Sequence, residues 1–246
     1  MADTVNKSFP LQPVSHPTEE LKDIIKNGLV SDFFKMERAY HLHKAIGDNA
    51  DIFNDSANGN FGELFGTVQG AMESEAVLAV ARVYEKPGKR HPTRCIRRAL
   101  DLMEQNSEEL PDIVEAYNTQ LHLEGFGACT EVVRSVSLGK AQFITLYVPY
   151  IRDILNSDEI LSKVGRLKDL RDKRIAHNDP AAIVGPTWDA LNELILQAQQ
   201  FVGVVGWAFF GTVYIIDDSY LLSSDAQRPS RALNRLVTLL SQGHGQ

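Results

Sequence analysis

The stretch Ser157–Pro180 reads SDEILSKVGRLKDLRDKRIAHNDP and sets the terms for the rest of the chain. At about 100° per residue, Ile160, Val164, Leu167 and Ile175 fall in one arc about 80° wide, the pattern of a helix with a core-facing stripe. Arg171 lies inside that arc and Arg174 on its edge, with His177 beside Arg174 in the last turn. An arginine on such a stripe must be paired, or must meet a ligand or partner, because an unpaired buried charge is very costly. Asn178-Asp179-Pro180 closes the helix, since the residue before a proline is pushed out of helical geometry.

Working outward, the neighbouring stretches are also helical in pattern. Upstream, Val132–Leu155 reads as one helix, kinked at Pro149. Downstream, Thr187–Ile216 contains FVGVVGWAFFGTVYII, which has no charge but is shorter than the roughly 20 residues of a membrane span. Its first half, WDALNELILQAQQ, is amphipathic, so a buried central or interface helix is expected and no membrane segment.

Further out, Phe61–Lys86 (FGELFGTVQGAMESEAVLAVARVYEK) is a long helix with Gly62, Gly66 and Gly70 in a line. Glycine is costly inside a helix, so three in line imply close helix approach there, within the fold or across a dimer. Other helices are expected over Thr18–Gly28, Leu29–Asp48, Thr93–Gln105, Ser107–Leu123 and Pro229–Gln242, with 49–60 a loop. His41 and His43, two residues apart, point to different sides and do not make a simple metal pair. The pattern contains no strand and no repeat. It predicts an all-α chain: an irregular arm over 1–16 and a single domain over 17–242.

The totals bound the function. Of 246 residues, 43% are hydrophobic and 23% charged, and two cysteines give no disulfide framework. The start of the chain lacks the pattern of a signal peptide, so a cytoplasmic setting is expected. The net charge of −7 hides a polarity: six Lys/Arg and no acid over Lys86–Arg98, six Lys/Arg against two acids over Lys163–His177, and eight acids with no Lys/Arg over Ala99–Val133. Such a chain can present a basic patch to a phosphate backbone. The plainer alternative is that these runs are solvated helix faces.

Arg171-Asp-Lys-Arg-Ile-Ala-His177 resembles the R-x(4–6)-H signature of the higher-eukaryote and prokaryote nucleotide-binding (HEPN) superfamily, in which a polar residue commonly follows the arginine. The long helix 61–86, the basic loop after it and LRDKRIAHND together resemble the AbiU-type abortive-infection proteins of that superfamily. The resemblance implies a HEPN-like helical bundle with additional N- and C-terminal helices. It also implies a homodimer whose motifs face each other and a metal-independent endoribonuclease of the phage-defence or toxin type, without cofactor. RNA is the implied substrate, and an antitoxin or defence-system protein a possible partner. Carried over, Arg171 and His177 are the catalytic pair and Asp172 supports them. Lys173, Arg174, Asn178, Arg166, Arg90 and Arg94 are the candidate RNA and phosphate contacts.

These residue types suit the reaction. RNA carries its own nucleophile, so cleavage needs a proton acceptor, a proton donor and a cation at the phosphoryl oxygens. Histidine serves either proton role near neutral pH, and arginine offers phosphate a planar fork. In a straight helix Arg171 and His177 lie about 120° apart, whereas Arg174 and His177 are neighbours. A dimer, or a helix that loosens at its end, removes the conflict. The competing readings are a non-catalytic RNA- or nucleotide-binding module, and arginines that pair with acids of neighbouring helices. Some superfamily members carry a tyrosine two residues after the histidine, a site of AMP addition; here that position is Asp179, which does not support such regulation.

Overall fold

The computed structural model describes residues 16–55, 60–88, 93–172, 185–216 and 219–243. The first helix, α1 (Pro17–Asp23), opens with Pro17 in its first turn and Glu19 and Glu20 at its N-terminus, where acidic side chains suit the helix dipole. The stop expected at Gly28 is absent. The helix widens into a π turn over Ile24–Leu29 and continues as α2 (Val30–Asp48). Gly28 serves close approach instead: a Cβ there would lie 2.3 Å from the Cβ of Arg94.

Within the stretch expected as loop, α3 (Ala50–Asn54) forms because Phe53 is buried and stacks on Phe65 at 3.8 Å. The long helix α4 spans Gly62–Val83. Gly62 receives the Asn54 side chain, but Gly66 and Gly70 are exposed, with nothing within 4 Å of an added Cβ. Their line is therefore not a helix contact within the described chain.

After α5 (Ile96–Gln105), the helix expected from Ser107 is only a 3-10 turn, Ser107–Glu109. Pro111 forces Leu110 into extended backbone, and α6 starts later, at Ala116–Gly125. The single helix expected over 132–155 is two, α7 (Thr130–Ser135) and α8 (Lys140–Leu155), parted by Gly139 at φ +100°. Helix α8 runs on through Pro149.

Next come α9 (Asp158–Asp169), N-capped by Ser157, and α10 (Trp188–Val205), N-capped by Thr187. The expected continuation of α10 to 216 gives way to a π turn, Gly206–Phe210, closed by Gly211 at φ +55°. A short antiparallel hairpin follows, β1 (Ile215–Ile216) on β2 (Ser219–Tyr220), the one departure from all-α among the described residues. The chain ends in α11 (Ser223–Ala226) and α12 (Arg228–Gly243).

Helices α2 and α4 form the most extensive pair and run antiparallel. Arg82 reaches Asp32 at 2.7 Å and Arg38 reaches Glu75 at 2.7 Å along their length. Helix α10 is central, touching α2, α4, α6 and α9 through Leu191, Leu194, Ala198, Phe201 and Val205. Phe143, Tyr147 and Phe201 stack in series through the main core, with centroids 4.9 and 6.2 Å apart. Among the described residues no helix is long and apolar enough to cross a membrane. A second, smaller core lies apart, where Leu233 and Val237 of α12 meet Ala45, Ile46 and Phe53.

Candidate active site at the end of the ninth helix

The apolar stripe of α9 is covered by the chain itself. Ile160 and Leu167 are buried in the main core and Val164 packs against it, so the described part of the stripe is covered within one protomer. Lys163 fastens the helix sideways, bonding Glu159 one turn back at 2.5 Å and Glu193 on α10. Past Asp169 the helix widens, with residues 170–172 in π geometry.

Arg171 is 26% exposed and doubly paired. Its Nε donates to Asp172 Oδ1 at 2.7 Å, and its Nη1 meets Glu85 Oε1 at 3.5 Å. The hydrogen bond to Asp172, then the nearby carboxylate charges, raise its pKa, so it stays a cation throughout. Glu85 is fixed from behind, because Tyr84 beside it donates its buried hydroxyl to the Leu194 carbonyl of α10 at 2.6 Å. The end of α4 is thereby tied to α10 with its carboxylate turned to Arg171. Gly185, where the described chain resumes, lies against Leu170: a Cβ there would meet Leu170 Cδ2 at 2.8 Å.

Of the other expected site residues, Arg166 is exposed on α9 and makes no ion pair among the described residues. Arg94 pairs with Asp23 at 2.6 Å. Its neighbours in the basic run are also engaged: Arg98 with Glu20 at 2.6 Å, and Arg97 with the Leu155 carbonyl at 3.2 Å and Asn156 Oδ1 at 3.1 Å. The run that looked like a phosphate patch therefore contributes three clasps between helices. His177, Lys173, Arg174, Asn178 and Arg90 lie outside the described residues. Glu85 is the residue that sequence reasoning missed. Nothing local marks it, since it sits 86 positions from Arg171 and only the packing of α4 against α9 joins them.

The described part of the site can hold a cation at a fixed angle, partly open to solvent, beside carboxylates that orient it. Among the described residues no group of three or more His, Cys, Asp or Glu is placed to hold a metal. His43 lies against Trp188 at 4.8 Å, and His41 lies against Tyr40 at 5.2 Å with its Nε2 3.3 Å from Gln227 Nε2.

Comparison with known proteins adds one match. No curated protein and no solved structure matches the chain. The AbiU2 family model of the HEPN superfamily matches residues 18–233, most of the chain and all of the Arg171–His177 motif. This chain belongs to the AbiU2 family of HEPN proteins.

Proposed function

We propose that this protein is a metal-independent endoribonuclease of the phage-defence type, acting through Arg171 and His177. Membership of the AbiU2 family supports an abortive-infection, HEPN-type role. The observation that carries the finer reading is Arg171: a partly exposed arginine at the end of α9, aimed by Asp172 and Glu85, at the head of an R-x5-H motif.

In this reading Arg171 binds the non-bridging oxygens of one phosphate and stabilises the charge that grows there. His177 of one protomer takes the proton of the ribose 2′-OH, whose oxygen attacks phosphorus. The P–O5′ bond breaks, and the leaving oxygen takes a proton from His177 of the second protomer. The products are a 2′,3′-cyclic phosphate and a 5′-OH end, with no net proton change. Asp172 keeps the guanidinium in plane, and Lys173, Arg174, Asn178 and Arg166 hold flanking phosphates. The active form is a homodimer in the cytoplasm, and an antitoxin or defence-system partner restrains it.

A second reading has one observation in its favour. Arg171 already holds two carboxylates, as a structural clasp between α4 and α9 does, which suits a non-catalytic module. RNA cleavage in EDTA by wild type, His177→Ala and Arg171→Lys separates the two. The nuclease reading expects cleavage by wild type alone, with cyclic-phosphate ends, and a loss of about a hundredfold or more in both variants. Cleavage that survives His177→Ala, or needs added metal, sinks it. RNA retained but uncut by all three proteins selects the second reading.

A further inference from the structure

Far along the chain from the Arg171 motif, α6, the π turn after α10 and strand β1 enclose a cleft of about 350 Å³. Its walls are Leu121, His122, Phe126, Trp207, Ile215 and Ile216, within the usual range for ligand pockets and wide enough for one large side chain. Its apolar walls are partly uncovered, with Leu121 53% and Ile216 52% exposed, and two more exposed apolar side chains, Tyr117 at 74% and Val114 at 55%, lie nearby in sequence. Tyr117 and Leu121 stand one turn apart on α6. Val114 joins the same surface, since its N–H donates to the Ala208 carbonyl of the π turn at 2.8 Å and its side chain lies beside Gly211. Leu121 and Ile216 line the hollow itself, and Tyr117 and Val114 extend the exposed apolar surface along α6 and the segment before it.

Two further observations say what fits there. The indole N–H of Trp207 and Nε2 of His122 are buried and without a hydrogen-bond partner, so covering this wall strips water from neither. Burial also lowers the pKa of His122, which keeps the ring uncharged. Second, the cleft is built from two stretches, 99–133 and 185–227, that contain no lysine or arginine at all. Glu124 is exposed one turn beyond Leu121, whereas Asp112 is already paired with Lys140 at 3.8 Å.

We propose that this cleft docks a positively charged amphipathic segment of another protein, one that seats an aromatic or aliphatic side chain between α6 and the hairpin. The reading does not depend on nuclease activity. A helix presenting Lys or Arg beside an apolar face meets both the hollow and the exposed Glu124 carboxylate, the complementarity that selects partners and speeds encounter.

The test uses the full chain and a fluorescein-labelled helical peptide of about 18 residues, Leu and Lys with one Trp on its apolar face. A counterpart carries Glu at every Lys. Fluorescence anisotropy is expected to show the Lys peptide bound at least about tenfold tighter than the Glu peptide, with affinity falling as salt rises. Leu121→Asp and Ile216→Asp each weaken it about tenfold or more, and Glu124→Lys weakens it several-fold. Tyr117→Ala, the most exposed change, provides a variant safe for folding, and each variant is checked by its melting curve. Equal binding of both peptides, no binding of the Lys peptide, or binding unchanged in Leu121→Asp, Ile216→Asp and Tyr117→Ala overturns the proposal. So does sedimentation showing that these variants abolish self-association while leaving peptide binding intact, which assigns the face to a second copy. Retention of a short RNA lost in the same variants overturns it as well.

Discussion

Arg171 sits between Asp172 and Glu85, and the two carboxylates differ in what they do. Asp172 is adjacent in sequence and was legible there as the polar residue after the arginine. Glu85 arrives only by packing, and its 3.5 Å contact is the looser of the two. Glu85→Gln is therefore expected to change stability by less than about 1 kcal/mol in a chemical melt, as partly exposed pairs do. It should also raise RNA retention at low salt, because Arg171 then meets phosphate with one carboxylate fewer. Another carboxyl, that of half-buried Glu37, supports a pH prediction. It accepts from Gln199 at 2.9 Å and Ser223 at 2.8 Å, while its other oxygen is buried without a partner. Burial raises its pKa above the ordinary 4.5, outweighing the two hydrogen bonds. Ionising it thus costs more in the folded state than in the unfolded one, so its contribution falls as pH rises from the ordinary value through the raised one. Glu37→Gln is expected to melt above wild type at pH 8, with the gain vanishing by about pH 4. A gain that persists in acid contradicts this.

At the scale of elements, the sequence located most helices and misjudged their joints. Helices α9 and α10 were legible because their caps, Ser157 and Thr187, and their apolar spacing are local facts. The run from α1 into α2 was not, because glycine reads as a stop while its use at Gly28 depends on Arg94, distant in sequence. The break at Gly139 and the hairpin at 215–220 were hidden for the opposite reason. Apolar runs on either side satisfy a helical pattern, and only backbone geometry shows the interruption. Substituting the glycines separates these roles. Gly66→Ala and Gly70→Ala should each stabilise by about 0.5–1 kcal/mol in a denaturant melt, since α4 is open there and alanine is the better helix former. Gly28→Ala should cost about 1–3 kcal/mol, because the Arg94 stem has to move. Loss of stability in Gly66→Ala that depends on protein concentration instead places the glycine line at an interface between two copies.

Over the whole molecule, the charge polarity read from the sequence holds a different meaning in three dimensions. The basic run 94–98 is consumed in tying α5 to α1 and to the corner between α8 and α9. Parts of the two stretches without cations, α6 and residues 207–216, meet at the cleft, while Asp101, Glu104 and Asp112 of the first pair with Arg152 and Lys140. Composition showed the asymmetry but not which charges stay available, because pairing is a property of the assembled helices. Phe201→Ala, in the stacked series of the main core, is expected to lower the global unfolding free energy by about 3–5 kcal/mol, read from a urea titration.

The separation of α12 has its own consequence. Leu233 and Val237 anchor it on a small cluster that shares no residue with the main core. The Asn49–Asn234 hydrogen bond, at 3.3 Å, adds a weak tie. Peeling α12 away leaves the stack around Phe201 in place, so the molecule has a low-energy excursion in which its tail opens while the body stays shut. Amide protons of α12 should exchange with deuterium ahead of those of α8 and α10. A protease should also clip the tail as a first, separate event, leaving a trimmed but still folded body.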